Sequence, residues 1–333
     1  MACSRSIIKS DFRILFASKI DNFLNEQEIA GPDGLYRKHL LPSTYNLISE
    51  LSFALRENFS VLQTSKAIYL LSYCMHSAEM PISSQTIAVR TLNKLIDTIH
   101  QSKDVSGKTY FLLMRVLHCV TTRFQTVMDS VSALSSQDQS QYIADSSDAP
   151  GTAKDLKIFI REMMSGLATV VWCVGDSYRK LRAPPSFGQR EELSLLSKFL
   201  VNGLKCFEVF DIACSTDSSD PDAPYDLFAS VFTKLEPSIF KEIFSEKMSA
   251  LYNEIMARKS LKMISIAQNL LANPKVSMIF VDCFFCFLSE RLSCFNQGTS
   301  EKTSTLSSLF RVVVGSLMLY STNENAIRIH IKK

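Results

Sequence analysis

Four groupings place chemically active side chains at suggestive spacing. Ser106-Gly107-Lys108-Thr109 carries the Gly-Lys-Thr end of a phosphate-binding loop. Such a loop needs an earlier glycine so that successive backbone N–H groups can wrap the phosphate, and Ser102 holds that position. It also needs a preceding strand, whereas the pattern before it is helical. The tetrapeptide therefore reads as a helix–helix turn, with Gly107 as the C-terminal stop. Cys283-Phe284-Phe285-Cys286 has the spacing of a redox or zinc pair. No second Cys or Cys/His pair follows to complete a tetrahedral set, so thiols flanked by Phe read as packing. Cys74 with His76, and His118 with Cys119, lack further ligands in the same way.

Nucleophilic catalysis finds no support. There is no Gly-x-Ser-x-Gly elbow. His39, His76, His100, His118 and His330 are scattered along separate predicted helices. Arg179-Lys180-x-Arg182 and Arg258-Lys259 read as solvated basic faces. Trp172 lies in a run of Val and Cys and is expected in the core. The sequence therefore assigns no catalytic, cofactor-binding or metal-ligating residue, and neither enzyme activity nor a cofactor is expected.

The composition fits that outcome. Gly and Pro number 10 each in 333 residues. Their usual combined share is about 12%, so a turn-rich sandwich or a Gly-rich nucleotide fold is excluded. Hydrophobic residues make up 46%, ample for a large core. A formal net charge of +3 is too small to imply nucleic acid. The nine cysteines are odd in number and mostly sit in apolar runs, as expected of reduced thiols inside a cell. The longest apolar run, Val276 to Leu288, falls short of the ~20 residues of a membrane span, so a soluble protein is expected.

Helical spacing fills the chain. Phe12, Leu15, Phe16, Ile20, Phe23 and Leu24 share one helix face, and Gly31-Pro32-Asp33-Gly34 breaks it. Pro42, the Ser60/Gln63 capping box and Pro81 each mark a helix start. Leu62, Ile68, Leu71 and Met75 belong to one predicted apolar face, and Phe111, Met114, Leu117 and Phe124 to another. Residues 135–152 are rich in Ser, Asp and Gln and predict a flexible polar loop. Further loops are expected at Pro184-Pro185 and from Asp217 to Pro224. Pro237 and Asn273-Pro274 open later helices, and 303–321 forms a last one. About eleven or twelve helices result, several apolar on more than one stripe. Stacked antiparallel pairs cover such helices on both sides, which predicts an all-α, HEAT-like helical-repeat solenoid, with a compact bundle as the alternative. Repeats would occupy 1–134 and continue through 153–333.

Three stretches carry a family resemblance in their common order. They are Leu40-Leu41-Pro42-Ser43-Thr44-Tyr45 with Glu50-Leu51, Ser83-Ser84-Gln85-Thr86 with Leu92-Asn93-Lys94-Leu95-Ile96-Asp97, and Phe240-Lys241-Glu242-Ile243-Phe244 with Asn269-Leu270-Leu271-Ala272-Asn273-Pro274. Together they resemble the helical-repeat region of the transformation/transcription domain-associated protein (TRRAP) family. The resemblance implies a fragment of a giant HEAT solenoid whose kinase-like domain lacks catalytic residues and is absent here. It implies a nuclear, non-catalytic scaffold segment of a coactivator in SAGA and NuA4/Tip60 histone acetyltransferase complexes. Activators and complex subunits would be its partners, without direct nucleic-acid or membrane binding. It assigns no contact to any particular residue. A nuclear-transport adaptor of the importin-β kind is the alternative.

Overall fold

The computed structural model describes residues 15–16, 18–30, 38–102, 107–136, 149–181, 189–213, 223–258 and 261–295. Among them are twelve α-helices, two 3-10 turns and no strand. The chain divides into two compact units, Met1–Ala183 and Pro184–Lys333.

The first unit holds α1 (Ile20–Phe23), α2 (Glu26–Ala30), α3 (Leu41–Leu55), α4 (Val61–His76), α5 (Ile82–Gln101), α6 (Lys108–Ser136) and α7 (Ala149–Leu181). Several starts follow the local signals. Pro42 sits in the first turn of α3. At α4, Gln63 N donates to Ser60 Oγ at 3.2 Å and Ser60 N donates to Gln63 Oε1 at 2.9 Å, a complete capping box. Other features depart from expectation. The single helix predicted from Phe12 to Leu24 is cut at Ser18–Lys19. Asn25 Oδ1 then accepts from Gln27 N at 3.2 Å and restarts the chain as α2. Gly107 does not close α5, whose C-cap is Ser102. It precedes α6 at φ +80°, and its carbonyl accepts from Phe111 N at 3.2 Å. The polar loop predicted at 135–152 is trimmed at both ends, because α6 reaches Ser136 and α7 starts at Ala149. Its interior, 137–148, lies outside the described residues, as do the Gly31–Gly34 break, Pro184-Pro185, most of the acidic loop and the predicted helix at 303–321.

Packing sorts this unit into two layers. Helices α3, α5 and α7 lie side by side in one, and α4 and α6 in the other. Neighbours within a layer run parallel. Arg90 meets Glu162, and ten residues later His100 meets Asp176. Ser65 bonds Arg115 and Ser72 bonds Cys119. Consecutive helices instead reverse direction, α3 to α4 and α4 to α5 through short turns. This is how stacked helix pairs bury two stripes each. Gly166 of α7 allows a close approach to α5, since a Cβ there would run into the Asn93 side chain. Asn93 Nδ2 donates to Glu162 O at 3.1 Å at the same point. Gln85, buried at the start of α5, uses its whole amide. Its Nε2 donates to Ser77 O at 3.1 Å and Met80 O at 2.8 Å, and its Oε1 accepts from Arg123 at 2.8 Å. A Gln near the start of α5 is thereby the brace that holds the α4–α5 turn.

The segment Lys154–Leu181 is long and apolar enough by composition to cross a membrane, whereas the longest apolar run expected from the sequence, Val276 to Leu288, is too short for a span. More than half of its apolar window is buried, and Ile160, Met163, Leu167 and Val171 are core residues of this unit. That burial marks a core helix.

The second unit holds α8 (Gln189–Ala213), α9 (Ala223–Thr233), α10 (Pro237–Arg258), α11 (Leu261–Ala272) and α12 (Ser277–Phe295). Pro237 opens α10 as expected. Asn273 caps a turn that leads into α12, its Oδ1 accepting from Lys275 N at 3.0 Å. Helices α8, α10 and α12 form one layer, and α9 with α11 the other. Parallel stacking recurs. Phe244 meets Phe280, and further along Tyr252 meets Phe287. A chain of buried rings fills the core: Phe207 stacks on Tyr225 at 4.3 Å, then Phe228, Phe232 and Phe244 follow at 5.2–5.4 Å.

Candidate functional site

The fold disperses most of the chemistry-bearing residues. Lys108 and Thr109 lie in the first turn of α6, preceded by helix α5 rather than a strand. Thr109 Oγ1 and Ser102 Oγ sit 3.1 Å apart across that turn. The α4–α6 contact makes a Cys/His pairing the sequence did not show, between His76 and Cys119. His76 Nε2 lies 3.1 Å from Cys119 O, and Cys119 Sγ donates to Ser72 Oγ at 2.9 Å. Burial pushes the Cys119 thiol up to about 11 and Cys74 up to about 12. Both stay protonated at neutral pH, so neither is a ready nucleophile. Burial likewise holds His76 below its usual range.

Cys283 is buried with Sγ 3.4 Å from Ser245 Oγ, but Cys286 is exposed. The expectation that both pack in the core therefore holds for Cys283 alone. Three residues turn a helix through about 300°, which carries Cys286 out of the buried stripe. Among the described residues no three His, Cys, Asp or Glu side chains gather as a metal-ligand set. His39 and His118 are exposed, and His330 lies outside the described residues. Arg179 and Lys180 are exposed and both pair with Asp176. Arg182 and Lys259, and the side chain of Arg258, lie outside the described residues.

Trp172 corrects the sequence reading. Val170, Val171, Cys173 and Val174 around it are buried, yet Trp172 itself is 44% exposed. The run of apolar residues hid that its centre faces outward. Leu62 and Phe111, expected on buried faces, are also exposed. The His100 ring meets the Trp172 ring edge-on at 5.0 Å, and its Nε2 lies 3.3 Å from Asp176 Oδ2. His100 Nδ1 is buried without a hydrogen-bond partner among the described residues. Protonation would create a buried donor with nothing to accept it. Burial, aided by Lys180, accordingly holds His100 below its usual range against the pull of Asp176 and Asp97. A His with a depressed folded pKa loses stability as pH falls, because the unfolded chain takes the proton first. Trp172 is the sole tryptophan, so its fluorescence reads this contact directly. Emission should fall on acidification, with a midpoint below that of a free imidazole, because imidazolium quenches indole. His100→Gln should abolish the transition, and an unchanged titration in that variant would refute the assignment.

Sequence inspection also missed a buried acid. Glu192, in the first turn of α8, is 4% exposed. A single-sequence signal was present in Glu191-Glu192 at a helix start, but acids there usually face solvent.

One hollow lies on the α3–α5–α7 layer, and a second opens toward Val61 and Thr64 of α4 and Thr109 and Leu112 of α6. Two adjoining hollows of about 520 and 470 Å³ run along α5, and Lys94 and Asp97 line both. The first is walled by Glu50 and Phe53 of α3 and by Glu162 and Thr169 of α7. Arg56 and Glu57 stand at the second.

The sequence-family model described as the Tra1 HEAT repeat central region matches residues 1–149 and 128–333. The chain belongs to that family. The Tra1 central-region match agrees with the parallel, two-layer stacking in each unit. Relatives include the transformation/transcription domain-associated protein of Danio rerio, 21% identical over 400 residues. The human protein of that name is 21% identical over 411 residues, again covering 100% of this chain. The SAGA complex/NuA4 acetyltransferase complex subunit Tra1 of Schizosaccharomyces pombe is 20% identical over 99% of the chain. The chain spans about 10% of the length of each of these relatives.

Proposed function

We propose that this chain is a non-catalytic scaffold segment of a transcription coactivator, acting in the nucleus within a histone acetyltransferase complex of the SAGA or NuA4/Tip60 type. One observation carries the proposal: the Tra1 central-region match runs the length of the chain, as do relatives named for transcription. The helix stacking supports it, since repeated helix pairs build extended surface and their usual work is protein recognition. On this reading residues 1–134 and 153–333 carry successive repeats of one array, joined through 135–152. Its partners are complex subunits and transcription activators, and it needs neither cofactor nor nucleic acid. The transport-adaptor alternative draws no support from the family match.

The test is affinity purification of the tagged chain from nuclei of its own cells, followed by mass spectrometry. Acetyltransferase-complex subunits should be enriched together over an untagged control. Enrichment of transport factors instead, or of no complex subunit, would overturn the proposal.

A further inference from the structure

The hollows along α5 contain charges of two kinds. Arg90 is committed to Glu162 at 2.8 Å, and Arg56 to Glu57 at 3.8 Å and to the face of Phe53 at 4.4 Å. Glu50, Lys94 and Asp97 are exposed and make no ion pair among the described residues. They lie on one face, with Lys94 and Asp97 a single turn apart on α5 and Glu50 on the facing wall of α3. Two carboxylates and one ammonium, none in an ion pair among the described residues, thus line a concave channel, with Asp97 also acting electrostatically on His100. From Arg90 to Gln101 that channel follows α5 for about 17 Å. Exposed charges on a convex surface are solvated and carry little meaning. In a channel with low-dielectric walls the same charges focus their field on whatever enters. Phe53, 40% exposed at the rim, adds an apolar contact for the stem of a long side chain.

We infer that this α5 channel docks a basic segment of a partner protein, whose Lys or Arg side chains pair with Glu50 and Asp97. The inference rests on the scaffold function proposed above and names the chemistry of one partner. Global attraction does not account for it, because the chain as a whole carries a net charge of +3 and repels cations at long range. The complementarity is local. Lys94, lining the same hollow as the two acids, opposes a uniformly basic ligand and favours a segment in which acidic or neutral residues separate the cations.

The experiment measures binding of a hexapeptide of alternating lysine and serine to the full chain by fluorescence anisotropy at low salt. Glu50→Gln with Asp97→Asn should weaken it about fivefold or more, and Lys94→Gln should tighten it. Glu242→Gln, an exposed acid of α10, should change nothing. All four positions are exposed, so thermal melting should stay unaltered and separates lost binding from lost fold. Equal weakening by Glu242→Gln, no response to the Glu50/Asp97 pair, or no saturable binding would overturn the inference. Failure here leaves co-purification with complex subunits unaffected, so it is distinguishable from failure of the scaffold proposal.

Discussion

Replacing Glu192 with glutamine is expected to stabilise the protein at pH 8 and to do almost nothing near pH 4. Glu192 is buried at the start of α8, and burial, with a smaller contribution from Glu236, pushes its carboxyl up to about 7. The unfolded chain ionises with an ordinary pKa of about 4.3. Between those values the folded state holds a proton that the unfolded state has released. Stability therefore falls as pH rises through that window, and above it the penalty is constant. Burying the charged carboxylate costs on the order of 3 kcal/mol at pH 8 by this linkage. Glutamine keeps the shape and removes the titration. Urea midpoints measured from pH 4 to pH 8 should diverge between wild type and Glu192→Gln, with the variant ahead at the alkaline end. Glu236→Gln should recover only a minor part, since burial is the larger cause. Parallel curves would show that the carboxyl is ionised without penalty.

Gly203→Ala should destabilise the second unit, although alanine is the better helix former. A Cβ at Gly203 would stand 2.1 Å from Phe228 Cε2. The ring cannot step aside, because Phe199, Phe207 and Phe232 hold it at 5.2–5.4 Å. Overpacking of this kind costs about 3 kcal/mol. Alanine's helix preference returns about 1 kcal/mol. A net loss of about 2 kcal/mol is the expected balance, read as a lower denaturant midpoint and as faster amide exchange in α8 and α9. Phe228→Leu is destabilising by itself, yet the double variant should lose less than the two single losses combined. Strict additivity would show that the two positions are not coupled.

These two residues also mark where a single sequence stops being informative. Helix starts were legible because they depend on neighbours in the chain. Ser60 with Gln63, Pro42 and Pro237 each satisfy or remove backbone donors within one turn. The all-α class was legible because scarce Gly and Pro and recurring helical spacing leave no other way to bury 46% hydrophobic residues. Ordered resemblance across three stretches was enough to indicate the family. Helix-face exposure was less secure. Trp172 and Phe111 sit in apolar runs and Leu62 follows Val61 at a helix start, and each faces outward because such a pattern does not say which side meets a neighbour.

The candidate surface was not legible at all. Glu50, Lys94 and Asp97 look like ordinary surface charges in the sequence, and they share a channel only because α3 and α7 pack on either side of α5. Glu192 and Gly203 look like an ordinary helix acid and a weak helix residue, and each gains its effect from a helix distant in the chain. By itself the sequence determined several helix starts, fold class and family, because these follow from local backbone satisfaction and hydrophobic period. The tertiary structure alone decided which charges share a groove, which acid loses its water and which glycine admits a ring. Those properties depend on solvent exclusion and close contact between segments, and a linear pattern encodes neither.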